Sequence, residues 1–170
     1  KQKGAGGAIS KPPNFLDLNY ANRGLDNNDL NFLDLNYANR GLDNNDLEML
    51  LKQYIPSEEE PGEAYVSLDV RNNNLTELPL LPLDIISVKC DGNQLTSLPE
   101  FSPFLNFLSC DNNQLTVLPK LPPRLSKLSC NDNQLTVLPE LPKNLEVFYC
   151  NHNRLTVLPE LPESLTDISF

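Results

Sequence analysis

The sequence has a single histidine, a single methionine and no tryptophan. No apolar run approaches the ~18 residues that a membrane span needs, and Lys1–Ser10 lacks the apolar core of a signal peptide. We find no glycine-rich phosphate loop, no paired metal ligands and no Ser-His-Asp set. These absences predict a chain without membrane insertion, enzymatic activity, metal or cofactor. Because position 1 is Lys rather than Met, we expect a fragment of a longer protein.

Basic residues are also few, at 13 against 23 acidic ones, for a net charge of −10. Nucleic acids and anionic membrane surfaces reward clustered Lys and Arg, so both are poor partners for this chain. An acidic surface favours a protein partner whose contact surface is basic or neutral.

What the sequence does contain is a 20-residue period. The period appears in three sets of residues: Cys90, Cys110, Cys130 and Cys150; Asn73, Asn93, Asn113, Asn133 and Asn153; Leu75, Leu95, Leu115, Leu135 and Leu155. A fixed period of this length indicates a stack of small identical units rather than a globule with one catalytic pocket.

Each unit reads as a short strand followed by an extended return. Pairs such as Leu128 and Cys130 alternate with polar residues, which predicts half-buried strands that pair in parallel from unit to unit. Eleven of the 15 prolines lie between Pro79 and Pro162, and proline favours extended polyproline II over helix. The repeated Asn is expected to turn inward and bond to backbone groups.

The four cysteines are interpreted as core residues. One per repeat places them in a line about 4.8 Å apart, so they cannot converge on a zinc ion, and a disulfide prefers a shorter separation. We therefore expect buried, reduced thiols, which suit a reducing compartment.

The N-terminal third is different. Residues 14–30 and 31–47 are identical, and the second copy predicts a strand at Leu33–Leu35 and a helix from Asp43 or Asn44 to about Tyr54. The first copy either joins the stack as a truncated turn or is a weakly ordered flank. The acidic stretches at 26–29 and 43–46 lack the central Gly and terminal Glu of a calcium loop, so helix capping and turns explain them better. We divide the chain into a flank (1–13), a duplicated and helical capping segment (14–64) and about five repeats plus a partial sixth (65–170).

The motif Asn-Gln-Leu-Thr-x-Leu-Pro-x-Leu-Pro at residues 113–122 recurs, with substitutions in some units, so that 65–170 contains five units of this type. It resembles the short, Leu-Pro-rich leucine-rich repeats of secreted bacterial effectors of the YopM and IpaH type. The segment before it is similar to a longer, ribonuclease-inhibitor-like repeat. The resemblance implies a leucine-rich repeat solenoid with a curved parallel β-sheet on the concave side, an extended convex side and a helical N-terminal cap.

The same resemblance implies a bacterial virulence protein delivered into the host-cell cytosol, where its concave sheet binds a host protein or another effector. Such a module acts either alone, by occluding a partner such as an enzyme, or as the substrate-recognition arm of a larger ubiquitin-ligase-type effector. The catalytic domain of the second kind is not in this chain.

Residues that alternate with the core positions face the concave surface, and their identities are not dictated by the scaffold. Aromatic residues and Arg dominate interface hot spots, and acidic residues steer basic partners. The candidate partner-binding residues are Phe107, Lys127, Val147, Tyr149, Lys89, Asp91, Asp111, Arg71 and His152. Cys150 and His152 lie two residues apart, but Cys150 belongs to the inward ladder, so we do not expect a catalytic pair.

Overall fold

The structure is a computed structural model that describes residues 31–53 and 64–170. The expectations for the flank 1–13 and for the first copy of the duplication, 14–30, lie outside these residues. The described strands form one sheet in which every strand is parallel to the strand that precedes it in sequence. The strands are β1 (Asn31–Asn36), β2 (Ala64–Asp69), β3 (Ile85–Lys89), β4 (Phe107–Ser109), β5 (Lys127–Ser129), β6 (Val147–Tyr149) and β7 (Asp167–Ser169).

The strand alternation places one row of side chains in the core. Leu108, Leu128 and Phe148 are paired neighbours in the register of β4, β5 and β6, and all three are buried. Burying one such side chain contributes about 1.5–3 kcal/mol, and only the neighbouring repeat can cover it. The predicted leucine-rich repeat solenoid is confirmed.

The return path is extended, as the prolines predict. Within 70–170 the chain between successive strands contains no helix and no further strand. Four of the five returns between β2 and β7 close on a turn in which the N–H of the next core residue bonds to a proline carbonyl, as in Leu125 to Pro122 at 3.1 Å and Leu145 to Pro142 at 3.0 Å. In the return before β4 the Leu105 N–H bonds instead to the Ser102 carbonyl at 3.0 Å. A thin return of this kind allows a complete unit in 20 residues.

A single described helix, α1 (Asn44–Gln53), lies between β1 and β2. Asp43 is its N-cap: the Asp46 N–H donates to Asp43 Oδ1 at 3.0 Å, and the Asp43 N–H donates to Asp46 Oδ2 at 3.2 Å. Leu47 and Leu51 point into the core. The helix is therefore present where the sequence predicts it, and the acidic stretch 43–46 serves to cap it. The role of this segment as the N-terminal cap of the array stays a prediction.

The repeated asparagines form the buried ladder expected from the sequence. The Asn113 amide donates to the Cys90 carbonyl at 3.1 Å and to the Cys110 carbonyl at 3.2 Å, and its oxygen accepts the Leu95 N–H at 3.0 Å. Each side chain thus bonds to its own repeat and to the preceding one. Asn93, Asn133 and Asn153 repeat the pattern.

The residue just before each ladder asparagine has a left-handed backbone. It is Asn72, Gly92, Asn112, Asp132 and His152 in successive repeats, with φ between 52° and 65°. Asn, Asp, His and Gly tolerate this conformation better than other residues. At Gly92 a Cβ would meet Asn72 Oδ1 at 2.2 Å, so a side chain there requires the Asn72 side chain to shift.

We predict that Asn113→Ala lowers the stability of the array. The substitution leaves the buried Leu95 N–H without its bond, at a cost of about 1–3 kcal/mol. The Cys90 carbonyl loses one of its two amide donors but keeps the bond from Asn93. Urea denaturation followed by circular dichroism should show a lower midpoint. The neighbouring exposed Gln114 supplies the control, and equal midpoints for Asn113→Ala and Gln114→Ala would contradict the prediction.

Candidate protein-binding face

The parallel register aligns the outward-facing residues into columns across the sheet. The first column contains Ser67, Ser87, Phe107, Lys127, Val147 and Asp167. The second contains Asp69, Lys89, Ser109, Ser129, Tyr149 and Ser169. We call these two columns, with the strand-end residues next to them, the concave face. Adjacent members belong to neighbouring strands about 4.8 Å apart.

The four strongest candidates from the sequence lie together on this face. Phe107 and Val147 are half-buried and flank the exposed Lys127, while Tyr149 is half-buried in the second column. The Tyr149 hydroxyl donates to a carboxylate oxygen of Asp167, and this hydrogen bond raises the tyrosine pKa. Aromatic residues such as Phe107 and Tyr149 are enriched at protein interfaces, whereas lysine is depleted there.

Asp91 and Asp111 have partners within the scaffold. Asp91 Oδ1 accepts the Ser109 hydroxyl at 2.5 Å and the Asp111 N–H at 2.8 Å. Asp111 Oδ1 in turn accepts the Ser129 hydroxyl at 2.8 Å and the Asn131 N–H at 2.7 Å. Both carboxylates therefore help to join the strand ends of adjacent repeats. Their role in attracting a partner stays a prediction.

Arg71 and Lys89 surround a buried carboxylate. Asp69 is only 4% exposed, although its column faces outward, because Arg71 covers it with two charged hydrogen bonds at 2.9 and 2.7 Å. Burial disfavours the charge of Asp69, but the bonds from Arg71 outweigh burial and hold its pKa below the ordinary value, with a smaller contribution from Lys89. Arg71 is thus held in place rather than free to reach outward.

His152 belongs to the left-handed turn described above. Its side chain is 78% exposed, and its Nδ1 lies 2.9 Å from Asp132 Oδ1. The neighbouring Cys150 is buried, and burial raises the pKa of its thiol to about 11. His152 therefore has an aspartate partner, and the thiolate that a nucleophilic cysteine requires is disfavoured.

The other three thiols lie in a similar environment. Cys90, Cys110 and Cys130 are free and buried, and burial is the largest cause of their raised pKa values. The thiols of Cys90 and Cys110 lie 3.3 and 3.4 Å from the carbonyls of Ser109 and Ser129. No cluster of three or more His, Cys, Asp and Glu residues suited to a metal is found within 31–53 and 64–170.

Sequence reasoning missed one pair at the edge of the sheet. Phe104 is half-buried in the turn before β4, and the Arg124 guanidinium carbon lies 5.0 Å from its ring centroid. The same position holds Asp84, Asn144 and Ser164 in other repeats. The following core position is Leu or Ile in every repeat, so the variability of the position before it was the signal that the sequence offered.

A cavity of about 230 Å³ lies beside β7. The residues that line it include Cys150, Leu155, Leu158 and Phe170.

No described helix is long and apolar enough to cross a bilayer.

The fold and the face together define a leucine-rich repeat solenoid of the short, proline-rich type. No family model matches the chain, and a search of curated proteins found no significant match. Among solved structures, the chain is similar to YopM from Yersinia enterocolitica WA-314, at 34% identity and a TM-score of 0.59, over 62% of this chain and 26% of that one.

It is also similar to a Shigella effector leucine-rich repeat domain, at 32% identity and a TM-score of 0.58, over 72% of this chain and 60% of that one. The resemblance to the leucine-rich repeats of bacterial effectors is thereby confirmed. The chain spans about a quarter of the first of these proteins and three-fifths of the second.

The Asp69–Arg71 pair predicts a pH-dependent difference between wild type and Arg71→Met. Because the folded-state pKa of Asp69 lies below its ordinary value of 3.8, the stabilisation is complete above the unfolded-state pKa and is lost as pH falls through the folded-state pKa. Without Arg71, the buried carboxylate prefers to be neutral, and acidification relieves its desolvation.

We therefore expect Arg71→Met to be less stable than wild type at pH 7. The difference between the urea midpoints of the two proteins should narrow below about pH 4. Arg154→Met removes an exposed arginine and serves as the control. A gap that stays constant between pH 7 and pH 3 would disprove this account of Asp69.

The cysteine environment predicts slow alkylation in the folded protein. At pH 8, the buried thiols should react with iodoacetamide far more slowly than after unfolding, because burial disfavours the thiolate. His152→Ala should leave the rate at Cys150 unchanged, as measured by mass spectrometry of the Cys150 peptide. A rate at Cys150 that matches the unfolded chain and falls on removal of His152 would instead indicate an activated nucleophile.

Proposed function

We propose that the chain is the non-enzymatic protein-binding module of a bacterial effector and that it docks a protein partner on its concave face. The observation that carries the proposal is the register-aligned row Phe107, Lys127 and Val147, beside Tyr149. These side chains lie outside the buried repeat core, so the fold does not require their identities.

Rigidity supports this proposal. The sheet, the asparagine ladder and the Asp91–Asp111 bonds hold the strand ends of successive repeats in one arrangement. A preorganised surface loses little conformational entropy when it docks, which favours a module that occludes its partner, such as an enzyme whose active site it covers.

The proposal also includes a cellular location for the protein. The two similar structures come from Yersinia and from a Shigella effector. The four unpaired, buried thiols are compatible with a reducing compartment, and we propose the host-cell cytosol. The domain division at 14–64 and 65–170 is part of the proposal as well.

A second candidate is the substrate-recognition arm of a larger ubiquitin-ligase-type effector. The observation that favours it is that this chain matches only part of the length of each similar protein. The coding frame beyond Phe170 discriminates between the two. Continuation into a cysteine-bearing helical domain supports the recognition arm, whereas an early stop codon supports a module that acts alone.

We predict that Phe107→Ala/Tyr149→Ala weakens binding of the partner by ~2 kcal/mol or more, because aromatic anchors carry much of an interface's energy. The variant should stay folded, since neither side chain belongs to the buried core. The partner is isolated by pull-down with the repeats and identified by mass spectrometry, and affinities are then measured by calorimetry.

The matched control is Val117→Ala/Val137→Ala. It removes two exposed apolar side chains from the return segments, outside the concave columns, and should leave the affinity unchanged. If the aromatic variant binds as tightly as wild type, docking on the concave face is wrong.

A further inference from the structure

One aromatic–cation contact and one register pair of an aromatic with a lysine lie where the chain enters β4 and β5. Arg124 lies over the ring of Phe104 at 5.0 Å, and Phe107 is paired in register with Lys127. We define the rim patch as these four residues, Phe104, Phe107, Arg124 and Lys127. Two of its members already belong to the proposed binding face, and the other two extend that face to the turns before the strands.

The backbone beneath the rim patch is held by hydrogen bonds between the two turns. The Ser126 N–H donates to the Asn106 carbonyl at 2.9 Å, and the Ser126 hydroxyl donates to Asn106 Oδ1 at 3.1 Å. The Asn106 amide donates to the Arg124 carbonyl at 3.2 Å. The patch is therefore presented by a fixed pair of turns.

The two cations of the patch have no carboxylate partner in the described parts of the chain. The ion pairs found there are Lys52–Glu48, Arg71–Asp69 and His152–Asp132. Glu146, exposed and just before Val147, bonds through its backbone N–H to the Ser126 carbonyl and forms no ion pair with Lys127. By contrast, the nearby carboxylates of Asp91 and Asp111 accept hydrogen bonds from their own scaffold. Both charges of the rim patch itself are positive, with Glu146 beside it, although the chain carries a net charge of −10.

We propose that the rim patch binds an acidic segment of the partner protein, in which an Asp or Glu carboxylate stands next to an apolar side chain. An arginine stacked on an aromatic ring keeps its planar N–H edge available for a carboxylate. Lys127 supplies a second positive charge, and Phe107 supplies an apolar contact beside it. The inference rests on the proposed function, and it specifies the chemistry of what the concave face recognises.

The overall negative charge does not oppose this assignment at contact distance. Charges separated by more than a Debye length of about 8 Å are largely screened at physiological salt, whereas groups in contact are screened much less. The sign of the contact segment is therefore set by Arg124 and Lys127 rather than by the whole chain.

A random peptide library displayed on phage tests the proposal and does not require the partner to be identified. Selection is carried out on wild type, on Arg124→Glu/Lys127→Glu and on the control Lys120→Glu/Arg154→Glu. The control has the same change in net charge, its residues are exposed, and neither takes part in an ion pair among the described residues. Urea midpoints confirm that all three proteins are folded. If the double reversal does not fold, Arg124→Gln/Lys127→Gln replaces it.

We expect peptides selected on wild type and on the control to be enriched in Asp and Glu next to apolar residues. Synthetic versions should bind the rim variant on the order of tenfold more weakly than wild type, with a steeper salt dependence for wild type. Selected peptides that are basic or uncharged, acidic peptides that bind the rim variant equally well, or a wild type that selects nothing would each overturn the proposal.

The failure of this inference is distinguishable from failure of the proposed function. A pulled-down partner that loses affinity with Phe107→Ala/Tyr149→Ala, but not with the charge reversal, leaves the concave face intact and refutes the acidic segment. A partner insensitive to both variants refutes the proposed docking face itself.

Discussion

The structure depends above all on the buried asparagine ladder. Where a strand ends, the ladder side chain bonds to backbone carbonyls of its own repeat and of the preceding repeat. An unsatisfied buried backbone group costs about 1–3 kcal/mol, so each repeat requires its neighbour's asparagine at a fixed position. This requirement explains why the period is constant while the surface residues vary.

The ladder has consequences for the exposed face. Asn73, Asn93 and their equivalents hold the strand ends in place. The residues of the outward-facing columns therefore contribute little to the stability of the fold and can differ between repeats. Some charged residues in or next to these columns are an exception. Asp91 and Asp111 join adjacent repeats, and Asp69 is covered by Arg71, so these charged residues stabilise the array. The outward-facing side chains that are not used to stabilise the array lie nearer the middle of the sheet, around Phe107 and Lys127.

The net charge of the chain and the local charges on the concave face therefore have different consequences. The net charge of −10 describes the long-range field, but several carboxylates of the concave face are occupied by scaffold hydrogen bonds. At Arg124 and Lys127 the positive groups have no described ion-pair partner. In the proposed interface these local groups, rather than the net charge, set the chemistry of the contact, since desolvation and hydrogen-bond geometry act only at contact distance.

The sequence alone determined the 20-residue repeat, the parallel sheet, the inward Cys and Asn positions and the helix after Asp43, because periodicity and capping residues are local patterns. It also aligned the columns, since a constant period dictates register. Only the tertiary structure decided that Asp91 and Asp111 bond within the scaffold, that His152 occupies a left-handed turn beside Asp132, and that the Arg124 guanidinium lies over the Phe104 ring. These contacts depend on side-chain directions across neighbouring repeats, and a one-dimensional pattern gives the spacing of such residues but not the orientation of their side chains.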